Sequence, residues 1–284
     1  IVIQDSKGNQ FVWIPVTDYT TMYTTGTYTL NGVTTKTRVY SKLRVRSADG
    51  YKSTTPGDDD GIREPDVLSD YDTDSEYYSI LGYESTQGMA DAIVKEYTAT
   101  YNSIKRYKGF YIGRYELTGG TYNPTVKKGE PIFNNQNWYN LKKACTNVVS
   151  SSYAQSTMIY GNQWDEVMAW LKKTKFKGDE GKVDEDSRSW GNYSDNAGAS
   201  STGSTSPRPS GYNEAWKANN IYDLAGNCEE YTQEAYSSNS RITRGGHIIT
   251  NAGYSFYQAS TRDENRAHYN GSNLTTSRPA LYVK

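Results

Sequence analysis

Two cysteines, Cys145 and Cys228, are all the thiols that 284 residues hold. That number excludes a disulfide framework, and spacing alone does not pair the two. Both are read as small buried apolar residues, the commonest setting for an unpaired cysteine. Histidine is equally scarce, with only His247 and His268. An excess of either charge is missing too: 31 Lys and Arg face 32 Asp and Glu, for a net charge of −1. Nothing in that balance attracts nucleic acid or an anionic membrane surface. No apolar run approaches the length of a membrane span, so no membrane insertion by this domain is expected. No signal peptide opens the chain, and its first residue is Ile rather than Met, which suggests a domain excised from a longer protein. A Gly-x-Ser-x-Gly elbow, a Walker loop and a Cys-x-x-Cys pair are also lacking, and no other nucleophile and base set stands out.

Tyrosine is what the chain has in abundance. There are 27 Tyr and 6 Trp in a sequence whose mean hydropathy is −0.84. Aromatic rings with polar tips can fill a core and still leave contact surface outside. Residues 11–16 (FVWIPV) read as a strand, and residues 17–84 as a long polar insertion. Within the insertion, residues 27–33 read as a hairpin around Asn31-Gly32, the strongest short hairpin signal. Asp70, Asp72, Asp74 and Glu76 alternate like the opening of a calcium loop, but Ser75 and Leu81 stand where that loop needs Gly and Glu. The run is therefore read as a solvated loop. Apolar residues at helical spacing predict helices over 86–107, 136–149 and 162–174. Residues 178–218 have no periodicity and read as a long irregular segment, with Trp190, Tyr193, Tyr212 and Trp216 available to pin it. A single domain over 1–284 is expected, with the insertion at about 17–84.

Residues 219–246 (NNIYDLAGNCEEYTQEAYSSNSRITRGG) concentrate turn chemistry. An extended Ile221-Tyr222 leads into an Asp-Leu-Ala-Gly-Asn turn, where Asp, Gly and Asn accept positive φ. Asp223 and Glu230 flank it as hard oxygen donors. A polar loop with solvated carboxylates explains the same residues.

IYDLAGNCEEYT followed by RITRGG resembles the signature of the formylglycine-generating-enzyme (sulfatase-modifying factor) family, roughly GLYDMxGNVWEW followed by RVxRGGSW. FVWIPV is similar to its opening strand and GFYIGRYELT, at 109–118, to its second. MIYGNQWDEVMAWL, at 158–171, stands where the family has RLPTEAEWEYA. SRPALYVK, at 277–284, resembles the closing GFRP strand. These motifs occur in the family's order over nearly the whole chain. The resemblance implies an α+β C-type lectin fold of the formylglycine-generating-enzyme type: a small, twisted, mostly antiparallel sheet with helices and long loops. It also implies that strands 11–16 and 280–283 are neighbours. By motif position, a structural calcium would sit on Asp223, the carbonyls of Gly226 and Cys228, and Glu230. Glu229 replaces the family's Trp there.

The family's enzymes oxidise a cysteine with copper and two thiols that follow the RGG motif. No Cys follows Gly246 here, and a thiolate is both the ligand and the redox partner in that chemistry. No copper and no catalysis are therefore expected. The iron-dependent relatives need three histidines, one more than the chain has. A second branch of the fold, the variable proteins of diversity-generating retroelements, resembles this chain more closely. In that branch the segment after RGG is rewritten at Asn codons, which never yields Lys, Met, Trp, Gln or Glu. In residues 247–277 only Gln258 and Glu264 break that rule. The segment's Tyr, Asn, Ser and His also make a paratope-like composition; an ordinary polar loop has the same residues.

The resemblance implies a receptor-binding module on a phage tail or bacterial cell surface, with a protein or glycan receptor as partner. A surface decoration without a ligand is the alternative. Gly253, Ala259, Ser260 and Arg262 match the family's supporting positions. Ile249, Asn251, Tyr254, Phe256, Tyr257, Thr261, Asp263, Asn265, His268, Tyr269, Asn270, Ser272 and Asn273 are then expected to face outward as the ligand-binding surface.

Overall fold

The computed structural model describes residues 1–30, 33–41, 43–47, 50–54, 71–178, 182–195, 205–249, 258–268 and 272–284, with the backbone alone across 24–54. The chain opens with β1 (Val2–Gln4) and β2 (Gln10–Pro15). The insertion holds two antiparallel hairpins: β3 (Tyr23–Leu30) with β4 (Val33–Ser41), and β5 (Leu43–Ser47) with β6 (Gly50–Thr54). Leu30 pairs with Val33, as the Asn31-Gly32 signal predicts, although those two residues lie outside the described ones. The acidic run departs from expectation. Asp74 caps the N-terminus of a short helix, α1 (Ser75–Ile80), by accepting from the Glu76 amide.

Helix α2 (Thr86–Tyr107) matches its predicted bounds. Ser85 caps its start and Lys108, at φ 62°, closes its end in the left-handed conformation. After it come β7 (Gly109–Gly113), α3 (Trp138–Asn147), β8 (Ala154–Met158) and α4 (Gly161–Lys173). Short β9 (Lys217–Ala218) and β10 (Ile221–Tyr222) precede β11 (Glu229–Ser237), β12 (Ser240–Arg244), β13 (Arg262–Arg266), β14 (Thr275–Ser277) and β15 (Pro279–Val283).

The largest sheet has the order β1-β2-β7-β15-β8, with every pair antiparallel. Strands β2 and β15 share this sheet but are not neighbours, contrary to expectation. β7 lies between them; its residues are buried apart from the half-buried Tyr111, which suits a central position. Alternation along the strands divides the core in two. Val12, Ile14, Phe110, Ile112 and Ala280 face one cluster with Trp164, Val167 and Leu171 of α4. Phe11 and Leu281 face the other, with Trp138, Leu141 and Cys145 of α3. Helix α2 serves both, giving Tyr101 and Ile104 to the first and Met89, Ala90 and Ile93 to the second.

The second sheet has the order β13-β12-β11-β14, antiparallel except for the β11–β14 pair. The observed class is α+β with small, mostly antiparallel sheets, few helices and long connections, in accord with a C-type-lectin-like fold. Trp190, Tyr193 and Trp216 are buried and pin the irregular segment as expected. Tyr212 is exposed and stacks on Trp216 with ring centroids 5.9 Å apart. Among the described residues, no helix is long and apolar enough to cross a membrane.

Candidate functional site

The stretch 219–246 forms a buried framework. Asn219, Asn220, Asp223, Gly226 and Asn227 all have positive φ, so each peptide turns more sharply than an ordinary L-residue allows. Gly226 is required twice over. Its φ is +71°, and a Cβ there would meet the Asn192 carbonyl at 2.3 Å. The turn's side chains point into the protein. Asn227 donates to Glu116 (2.8 Å) and accepts from the Asn192 amide group and the Arg208 N–H. Glu116 also accepts from the Cys228 N–H at 3.2 Å.

Asp223 and Glu230 are both buried, as is Glu116, which the sequence reading did not single out. One oxygen of Asp223 accepts from Gly211 N–H (2.7 Å) and Ser210 Oγ (3.2 Å). Its other oxygen, Oδ1, is buried with no partner. Glu230 gives both oxygens to the Arg278 guanidinium, at 3.1 and 2.9 Å from Nε. Arg278 also donates to the carbonyls of Gly113 and Tyr222. Burial, followed by the neighbouring carboxylates Asp223 and Glu230, pushes the Glu116 carboxyl well above its ordinary range. Burial raises Asp223 to about 6 and also raises Glu230.

Of the side chains expected to hold a calcium ion with the carbonyls of Gly226 and Cys228, Glu230 already gives both oxygens to the Arg278 guanidinium, whereas Asp223 engages Ser210 and Gly211 through one oxygen and keeps Oδ1 without a partner. Among the described residues, no three Asp, Glu, His or Cys side chains converge as metal ligands.

A second buried charge network joins the motifs that the sequence set apart. Arg244, the Arg of RGG, donates to Asp165 on α4 (2.7 Å) and to Glu234 on β11 (3.2 and 3.3 Å). Arg262 donates to the same two residues, at 2.6 Å to Asp165 and 2.8 Å to Glu234. The four side chains are at most 5% exposed. Gly161 makes room for them, because a Cβ there would lie 2.0 Å from the Glu234 carboxyl carbon. Further bonds fix both ends of the segment between the two arginines. Ile248 donates its N–H to the Asn227 carbonyl, and the Gly245 carbonyl accepts from Tyr193. At the far end, Trp164 donates to the Ala259 carbonyl (2.9 Å), and Ser260 N–H donates to the Val183 carbonyl.

The expected supports Ala259, Ser260 and Arg262 are all buried or clamped in this way; Gly253 lies outside the described residues. Of the expected contact residues, Asn273 is exposed, and Ile249, Asp263, Asn265, His268 and Ser272 are half-buried. Thr261 corrects the expectation: at 3% exposure it faces inward, because the residue before Arg262 is drawn into the clamp. Asn251, Tyr254, Phe256, Tyr257, Tyr269 and Asn270 lie outside the described residues. Asp165 and Glu234 were missed. Asp165 sits in the motif region 158–171, but only the fold reveals that both arginines share it.

Beneath Asn265, Glu229 accepts from Asn265, Thr275 and Thr243. Burial raises its carboxyl to about 7 despite those donors. Across the end of β13, His268 stacks on Tyr77 with centroids 5.8 Å apart. Both cysteines are free and buried. Burial pushes Cys145 up to about 12 and Cys228 well above its ordinary value, so neither is a thiolate near neutrality.

No protein-family model and no curated protein matches this chain. Among solved structures, variable protein 1 of Treponema denticola is 12% identical, covering 99% of this chain and 98% of its own, with a TM-score of 0.37. A superposition of that quality carries no argument about fold or function.

Proposed function

We propose that this protein is a non-catalytic binding module that presents the segment between Arg244 and Arg262, together with residues after β13, as a ligand-binding surface. The observation that carries this is the shared clamp. Two arginines, one at each end of the segment, hold the same two buried carboxylates, so the chain between them can change sequence while both of its ends stay fixed. Loops on a rigid scaffold are where binding residues concentrate. The residues within and after the clamp include Tyr, Asn, Ser, Thr and His, which give contact area and adaptable hydrogen bonds.

On this reading the protein is of the variable-protein type made by diversity-generating retroelements. Its partner is a protein or glycan receptor on a cell, and it is displayed on a phage tail or a bacterial surface. The buried, protonated thiols support the non-catalytic part, since the oxidase chemistry of the resembling family needs accessible thiolates. The decisive experiment replaces Tyr254, Tyr257 and Tyr269 with Ala and measures cell or receptor binding beside melting. Lost binding with unchanged melting supports the proposal. Unchanged binding, or unfolding, contradicts it.

A further inference from the structure

Between α2 and α3 lies a cavity of about 160 Å³, lined in part by Tyr83, Ala92, Ile93, Glu96, Lys143 and Asn147. It contains none of the residues of the clamped segment or of the turn at 223–227. Its floor is an ordered polar network. Glu96 Oε1 accepts from Lys142 Nζ, Thr157 Oγ1, Tyr160 Oη and Gln233 Nε2, at 2.5 to 3.2 Å. Lys142 Nζ is also bonded to Thr157. Four donors on one oxygen fix the carboxylate's orientation. Its second oxygen, Oε2, has no donor among the described residues, and Glu96 is part of the cavity lining.

The charge state of this oxygen narrows the ligand. Burial pushes the Glu96 carboxyl up, but the Lys142 ammonium and the hydrogen bonds from Lys142, Thr157 and Tyr160 outweigh it and hold the group below its ordinary value. Oε2 is thus an acceptor only at neutral pH. Lys142 already neutralises it, and Lys143 adds a second positive charge at the wall, so an incoming cation gains little. An anion would meet Oε2 directly. A neutral hydroxyl suits both: it donates to Oε2, and its lone pairs accept from Lys143 or the Asn147 amide. Tyr83 and Ile93 supply the apolar surface that a ring's C–H face requires. A cavity of roughly 150 Å³ holds a benzene-sized ring, and this one opens to solvent, so a ring's hydroxyls can extend beyond it.

We infer that this cavity, floored by the free oxygen of Glu96 and walled by Tyr83, Lys143 and Asn147, binds a small neutral polyhydroxylated ring of the size of one pyranose, separately from the surface proposed above.

The test titrates the whole protein with glucose, galactose, mannose and N-acetylglucosamine, and with butylammonium and acetate as charged probes, followed by ligand-observed NMR. Two variants accompany it: Ala92→Phe, which fills the cavity, and Lys143→Ala, which removes a wall donor while leaving the Glu96 network whole. At least one sugar should bind saturably with a dissociation constant of millimolar order, as expected for so small a ligand. Ala92→Phe should weaken it by about tenfold or more and Lys143→Ala by about threefold or more, with melting unchanged in the latter. The inference is overturned if no sugar saturates, if butylammonium or acetate binds in preference, or if a bound sugar is indifferent to both substitutions.

Discussion

Arg244 and Arg262 are paired across β12 and β13 and grip the same two carboxylates, Asp165 and Glu234. The pairing makes a closed square of alternating charge that joins the two ends of the segment 245–261. Each carboxylate is neutralised from two sides and each arginine from two sides. With all four side chains at most 5% exposed, removing any member leaves a buried charge without compensation.

Arg262→Met is therefore expected to destabilise the protein by about 3–5 kcal/mol in denaturant unfolding, the range for breaking a buried pair. Adding Asp165→Asn to it should cost less than the sum of the two single substitutions, because the two residues are bonded to each other. Additive losses would show that the square does not act as a unit.

Gly161→Ala tests the same square by packing. The added methyl would overlap the Glu234 carboxyl, which both arginines hold in place and which cannot swing aside. A loss of about 1–3 kcal/mol is expected although Ala is the better helix former. A neutral or stabilising result would mean that Glu234 moves freely.

Helices 86–107, 136–149 and 162–174 were legible because apolar residues at helical spacing faced a core, and the observed bounds differ by at most two residues. The positive-φ turn at 223–227 was legible from Asp, Gly and Asn. Other features were not. Burial of a carboxylate leaves no mark in sequence, so Glu116 and Glu234 looked like any surface acid. The position of β7 between β2 and β15 depends on tertiary pairing, and the Asp49-Gly50 turn signal between β5 and β6 went unread inside a stretch that reads as one polar insertion. Arg278 was visible only as part of a closing strand; that it would neutralise Glu230 needed the fold.

Stability should fall as the pH rises from about 4.5 to 7. Glu229 has its folded value raised to about 7, chiefly by burial, from an ordinary 4.5. A carboxyl raised on folding stabilises fully below the unfolded value, and that contribution is lost as pH climbs through the folded one. Asp223, raised to about 6, acts in the same sense. Glu229→Gln should flatten the stability profile between pH 5 and 7 and gain about 1–3 kcal/mol relative to the parent at pH 8. An unchanged slope would place the Glu229 ionisation outside this window.

Chelation by EDTA should leave the melting temperature unchanged, because Arg278 already occupies both oxygens of Glu230. An ion present at a hundred times its dissociation constant would contribute about 2.7 kcal/mol, which a melting scan resolves. A drop on chelation, restored by calcium, would show that the turn holds a metal after all. Arg278→Met should unfold the protein or cost about 3–5 kcal/mol whether or not EDTA is present.

The central claim is that the clamped segment binds while the clamp at its ends supports the fold. Its most direct test is receptor or cell binding, measured beside thermal melting, for the Tyr254→Ala, Tyr257→Ala and Tyr269→Ala variants singly and together. The account predicts that the melting temperature stays within a degree or two of the parent, as for surface positions. It also predicts that at least one substitution costs about 2 kcal/mol or more of binding, as a central aromatic contact does. Full binding by the folded triple variant, or unfolding by any single one, would contradict it.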